Sequence, residues 1–209
     1  MRIVVSLRDR GSIRRDMERA LRSGADLVEL RADLIWEEPP EAREIEGLVR
    51  GLGDRVIVTW RSRAHGGMGG PQSREWLEEV SKICGYVDVE YENSDVSIGN
   101  AIFSWHDPGG TPREEDLLVV ARRLLSLGGI AKVVTLARDE LEAYRVLSLY
   151  RKLDHGGRLV AFSMGSRGAF SRRLSAALGS PLIYSHMGSP TAEGQLSLEE
   201  ALLLRRLLC

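Results

Sequence analysis

Lysine is nearly missing from this 209-residue chain: among 29 basic residues only Lys82, Lys132 and Lys152 are lysines. Asparagine and glutamine are scarce as well, a bias that fits a GC-rich genome or a hot habitat equally. Cysteine occurs only as Cys84 and Cys209, the latter at the final residue, where a disulfide would have little to brace. That excludes a disulfide framework and points to a reduced, cytoplasmic compartment. No apolar run approaches the ~20 residues of a membrane span, so no membrane partner is expected. The chain enters a strand-like run, Ile3-Val4-Val5-Ser6, with no basic n-region and apolar h-region before it, so no signal peptide is expected. Charge of one sign is lacking too: the formal net charge is −1, which offers no basic footprint for nucleic acid. His65, His106, His155 and His186 show no paired ligand spacing and the cysteines are isolated, so no metal is expected.

What is present is alternation. Short β-branched runs (Ile3–Ser6, Leu27–Leu30, Val56–Trp60, Tyr86–Glu90, Ala101–Trp105, Ile130–Thr135, Leu159–Ser163 and Leu182–Ser185) alternate with amphipathic stretches such as Ser12–Ser23, Ser73–Ile83, Glu114–Leu127, Leu141–Leu153, Arg167–Leu178 and Leu198–Leu208. Ser12, Thr111, Ser171 and Ser197 suit helix starts, and Gly24, Gly128 and Gly156 suit the positions after helix ends. Ser94–Gly99 is too short for a full crossover helix. Alternating β and α implies a parallel sheet covered by helices, and eight strands fit one closed (β/α)8 barrel of the TIM type spanning 1–209 as a single domain. A doubly wound open sheet is the alternative, but Ser6-Leu7-Arg8-Asp9-Arg10-Gly11 lacks its glycine-rich phosphate turn.

In such a barrel, function collects at the C-terminal strand ends. Strand two ends with Glu29, Arg31 and Asp33 at alternate positions, which places three charges on one face. They suit either a polar substrate or a structural ion-pair cluster. Arg61 ends strand three, where a guanidinium can clamp a carboxylate or hydroxyls. The loop after it, His65-Gly66-Gly67-Met68-Gly69-Gly70, lacks the lysine and Ser/Thr of a P-loop and reads as a lid or plain loop. His106 ends strand five, placed to move protons near neutral pH. Lys132 lies within Ile130-Ala131-Lys132-Val133-Val134-Thr135, out of place for a solvated lysine. Burial disfavours its charged form and frees the amine as a nucleophile for a carbonyl. Bringing a lysine from ~10.4 toward ~7–8 takes roughly 3–4 kcal/mol. The structural alternative is a buried pair with a carboxylate such as Glu29. Arg172 falls in the first turn of a helix, where a cation sits poorly unless an anion is bound nearby. The segment Met187–Gln195 reads as a flexible polar lid or an ordinary connection.

Taken together in order, these residues resemble type I 3-dehydroquinate dehydratase, the Schiff-base enzyme of the shikimate pathway for aromatic amino acids. The resemblance spans nearly the whole chain. It is carried by Glu29-Leu30-Arg31-Ala32-Asp33, Thr59-Trp60-Arg61, Ser104-Trp105-His106-Asp107, Ala131-Lys132-Val133, Ser163-Met164-Gly165 through Ser171-Arg172, and Ala192-Glu193-Gly194-Gln195. It implies that Lys132 forms an imine with 3-dehydroquinate and that His106 is the general acid and base. Glu29 would stand with this catalytic pair as well as among the binders. Arg172 would hold the substrate carboxylate; Ser6, Glu29, Arg31, Arg61, Thr191 and Gln195 would hold the remaining polar groups, and Met164 would pack on the ring. No cofactor is implied beyond the covalent imine, and a homodimer is expected. Three positions depart from the family pattern. His65 stands where relatives often carry a glutamate, Thr191 where a serine is common, and the N-terminal extension of longer relatives is absent, so the barrel bottom is expected to be less fully closed. Two other readings use the same residues: a class I aldolase or transaldolase-like lyase, and a silent barrel that binds a small acid with Lys132 salt-bridged.

Overall fold

The computed structural model describes residues 1–208. Nine strands form one parallel sheet in the order β7-β6-β5-β4-β3-β2-β1-β8-β9. They are β1 Arg2–Leu7, β2 Leu27–Arg31, β3 Val56–Thr59, β4 Tyr86–Glu90, β5 Ala101–Asp107, β6 Ile130–Leu136, β7 Leu159–Met164, β8 Leu182–His186 and the short β9 Leu196–Ser197. The helices are α1 Ile13–Arg22, α2 Ala42–Val49, α3 Arg74–Ser81, α4 Glu114–Ser126, α5 Glu140–Leu147, α6 Leu149–Lys152, α7 Phe170–Ala177 and α8 Leu198–Leu208. This is the expected parallel barrel. Cys209, read above as a disulfide-free terminus, lies outside the described residues.

Strand alternation sorts the apolar residues into two cores. Outward positions such as Val5, Val28, Leu30, Val58, Val87, Phe103, Val133 and Ala161 pack under the helices. Inward positions from seven strands (Val4, Leu27, Ile57, Ile102, Val134, Val160, Phe162, Leu182 and Tyr184) fill the barrel. At the bottom, Arg2 lies over the Tyr86 ring and its Nη2 donates to Tyr86 Oη at 2.9 Å.

The elements match expectation in one place and depart from it in three. Between β4 and β5 there is only a 3-10 turn, Tyr91–Asn93, as the short segment implied. Helix α2 was not among the expected helices. Its cap is a glutamate rather than a small polar residue: Glu41 and Glu44 form a reciprocal capping box. The stretch Leu141–Leu153 divides at Ser148 into α5 and α6, where the Ser148 hydroxyl donates to the Arg145 carbonyl and to Glu114. Thr111 caps no helix; it bonds Thr135 and the Leu136 carbonyl, and Arg113 precedes α4. The barrel also has a seam. β8 pairs with β1 on one edge and with β9 on the other, at Ser185 and His186, so no β7–β8 ladder forms. The chain just before β9 carries Thr191 and Gln195 into this seam, at the functional end.

Candidate functional site

The register fixes which polar groups meet. Ser6 pairs with Glu29, Arg31 with Thr59, Thr59 with Asp88, Glu90 with Ser104, Ser104 with Lys132, and His106 with Val134. Of these, Ser6, Glu29, Arg31, Thr59, His106, Lys132 and Val134 line a cavity of about 190 Å³ at the C-terminal strand ends; Asp88, Glu90 and Ser104 lie behind its wall. Every site residue expected from sequence lines it: Ser6, Glu29, Arg31, Arg61, His106, Lys132, Met164, Arg172, Thr191 and Gln195.

Lys132 is 5% exposed. Its Nζ lies 3.3 Å from Asp88 Oδ2 and 4.2 Å from the Tyr184 ring centroid. Glu29, the carboxylate of the paired alternative, is engaged elsewhere: Oε2 accepts from Ser6 Oγ at 2.6 Å and Oε1 from Thr59 Oγ1 at 2.9 Å. Burial holds the Lys132 amine below the ordinary lysine range, although Asp88 and Glu29 pull it back upward.

Asp88 is fully buried. Its Oδ1 accepts from Arg61 Nη2 at 2.7 Å and from Ser104 Oγ at 2.6 Å. Burial opposes its charge, yet Arg61 and Lys132 outweigh burial and keep its carboxyl below the usual range. Arg61 Nη1 also donates to Glu90 Oε1 and to Ser104 Oγ, both at 3.0 Å. Arg61 therefore reaches the cavity wall with its fork already occupied by two carboxylates, not as a free clamp. Arg31 makes a two-pronged pair with Asp33 at 2.8 and 2.9 Å, and Asp33 sits in the 3-10 turn Ala32–Leu34.

The opposite wall is different. Arg172 projects from the first turn of α7 and is 4% exposed. Its guanidinium lies 4.3 Å over the Phe162 ring centroid. Nε has no partner, and Nη2 has only a long 3.4 Å contact with the Glu193 carbonyl. Among the described residues no carboxylate pairs with it, and burial alone brings its pKa down to about 10. His106 Nδ1 is likewise buried without a partner. Burial, then the positive Arg61 and Lys132, push this imidazole well below its usual pKa, so it is neutral and able to accept a proton at pH 7. Above them, Gln195 ties the last loop to the barrel. Its Nε2 donates to the Ser185 carbonyl at 3.0 Å and to Ser6 Oγ at 3.2 Å, while its Oε1 accepts from the Thr191 N–H and hydroxyl.

The glycine-rich loop after β3 is no phosphate cradle. A Cβ on Gly67 would lie 2.1 Å from the Arg61 carbonyl oxygen, and one on Gly69 would lie 2.6 Å from the Trp60 ring. Its glycines let the loop fold back onto Arg61 and Trp60. This fold-back places His65 against the β5 end.

Sequence reasoning missed Asp88, Glu90 and Tyr184. The signal for two of them was legible: in Tyr86-Val87-Asp88-Val89-Glu90 the acids alternate at the strand's C-terminal end, the pattern already used for Glu29 and Arg31. Among the described residues, His65, Glu90 and Glu92 bring ligand atoms within 4.8 Å of one another. Glu90 Oε1, however, already accepts from Arg61 and from the Ser62 N–H, which neutralises that carboxylate from within.

The family model for type I 3-dehydroquinase matches residues 2–208. The chain belongs to that family. It is 32% identical to a 3-dehydroquinate dehydratase of Methanopyrus kandleri, over 90% of each chain. It is 35% identical to one of Pyrobaculum aerophilum, over 88% of this chain and 64% of that protein. The crystal structure of the 3-dehydroquinate dehydratase from Aquifex aeolicus superimposes with a TM-score of 0.85 at 28% identity, covering 99% of this chain and 98% of that one. This type I 3-dehydroquinase fold thus accounts for the parallel barrel.

Proposed function

We propose that this chain dehydrates 3-dehydroquinate to 3-dehydroshikimate through an imine on Lys132, with His106 as the proton carrier. The observation that carries the reading is the juxtaposition, in one cavity, of a buried lysine of lowered basicity, a neutral imidazole with a buried, unpartnered Nδ1, and a buried guanidinium with no anion of its own among the described residues. The unpaired Arg172 fits a substrate carboxylate: an uncompensated buried charge is costly, and a planar carboxylate supplies the missing acceptors. Seating it there directs the ring toward Lys132.

The neutral Lys132 amine adds to the C3 ketone; with one proton taken up from solvent, the carbinolamine hydroxyl departs as water and leaves a protonated imine, and that proton is given back when the imine is hydrolysed. The iminium withdraws electrons and acidifies the C2–H. His106 takes the C2 proton, the electrons move into the C1–C2 bond, and the C1 hydroxyl leaves as water with the proton that His106 returns. Hydrolysis of the imine then frees the enone product and restores Lys132. Asp88 stabilises the lysine while it is charged. Glu29, Ser6, Arg31, Thr191 and Gln195 face the ring hydroxyls, and Met164 faces the ring. No step requires a cofactor.

The reading predicts release of a conjugated enone from 3-dehydroquinate, followed by its ultraviolet absorbance. No enone with the wild-type chain, at any substrate concentration, would overturn it. The proposed setting is the cytoplasm, with a homodimer as the assembly. The uncovered Leu203 and Leu207 of α8 support a pairing face, and sedimentation velocity tests it.

A further inference from the structure

The β4–β5 ladder ends at the pair Glu90–Ser104, two residues short of His106. On its other side β5 continues against β6 as far as Asp107. The peptide groups of His106 that face β4 therefore have no strand partner, at the residue whose side chain must hold its position. The ring of His65 stands there instead. Its Nδ1 lies 3.1 Å from the His106 N–H nitrogen and 2.9 Å from the His106 carbonyl oxygen. Its Nε2 lies 2.9 Å from Oε2 of Glu92, which projects from the 3-10 turn after β4. His65 is 6% exposed, whereas the Glu92 side chain is 61% exposed. The two imidazole rings meet edge to face with centroids 6.4 Å apart.

From this geometry we infer that His65, oriented by Glu92, is the positioning residue of His106 and that its protonation state switches how the β5 end is held. The chemistry follows from the two ring nitrogens. In neutral His65 the carboxylate takes the Nε2–H, so Nδ1 is a bare acceptor and receives the His106 N–H. In protonated His65 both nitrogens donate. Nδ1–H then turns to the His106 carbonyl, and the His106 N–H is left without an acceptor in a buried place. The added positive charge also opposes proton uptake by the His106 ring. Neutral His65 is thus the productive form. The groups facing it are Glu92 from the 3-10 turn, Glu90 from β4, Arg61 at the β3 end and His106 from β5. Of the carboxylates, Glu92 is the one hydrogen-bonded to the ring.

The inference rests on His106 being the proton carrier, and His106→Ala tests that reading separately. A fully active His106→Ala variant removes the carrier whatever His65 does. The direct test compares His65→Ala, His65→Asn and Glu92→Gln by kcat, KM and the pH profile of kcat. An asparagine amide can occupy the Nδ1 position and engage the same backbone groups, but it does not titrate. His65→Ala is expected to lose about 10- to 100-fold in kcat with KM changed little, as for a misplaced catalytic group. His65→Asn is expected to recover most of that loss and to abolish the acid limb that His65 contributes. Glu92→Gln keeps an acceptor for Nε2–H without the carboxylate, so it should lose less in kcat than His65→Ala, again with KM changed little. The inference is overturned by a kcat of His65→Ala within twofold of wild type. It is equally overturned by a His65→Asn variant that recovers none of the kcat lost in His65→Ala. Should His65→Ala prove unstable, the pH profile of His65→Asn decides alone.

Discussion

The two walls of the cavity contrast sharply. On the β3–β6 side, Arg61, Asp88, Glu90, Ser104 and Lys132 form a closed set in which each charge has a partner. On the β7–β8 side, Arg172 Nε and the Tyr184 hydroxyl are buried with no partner at all. A buried polar group without a partner costs roughly 1–3 kcal/mol, and more if charged. The satisfied wall therefore holds the machine together and sets the basicity of Lys132. The unsatisfied wall is where a ligand's own polar groups complete the structure. His106, with its unpartnered Nδ1, stands on the satisfied side of the ring yet shares the character of the other wall.

Substitutions on the two walls should separate in kind. The largest effect is expected for Lys132→Ala, which removes the one lysine among the residues lining the cavity and should lower kcat by roughly 10⁴-fold or more in a steady-state assay. Asp88→Asn should act first on the fold. It breaks a buried ionic set and leaves Arg61 undercompensated, at a cost of about 3–5 kcal/mol in denaturant unfolding. It also removes a group that raises the Lys132 pKa, so the limb of kcat/KM that rises with the neutral amine should move to lower pH. The Asp88 carboxyl is depressed in the folded protein. Its stabilisation is present above the unfolded value of about 4 and is lost as pH falls through the folded value. Arg172→Ala should do the reverse of Asp88→Asn: KM should rise by about 10- to 100-fold, equivalent to about 1.5–3 kcal/mol of lost charge-assisted hydrogen bonding, with the melting temperature unchanged or raised. A substantially destabilised Arg172→Ala with normal KM would erase the contrast between the walls.

Much of this was legible in the chain. Strand alternation and the scarcity of lysine together singled out Lys132, and strand-end positions placed His106, Arg61 and Glu29 in one mouth. The partner of Lys132 was not legible, because Glu29 and Asp88 are both inward acids and only the register shows that Ser6 and Thr59 occupy Glu29. The occupation of Arg61 was hidden for the same reason: a strand-end arginine has the same sequence signature whether it faces ligand or a neighbouring strand. Helix α2 was masked by its glutamate capping box and by Gly47 within it. The seam at β7–β8 depends on the two-residue β9, too short to leave a periodic signal.

Lys132 is also where one experiment decides most. The wild-type chain, incubated with 3-dehydroquinate and reduced with borohydride, should yield a digest in which the peptide containing Lys132 carries the mass of the reduced substrate or product adduct. Lys132→Ala should yield none. An adduct on Lys82 or Lys152 instead, or undiminished dehydration by Lys132→Ala, would contradict the imine.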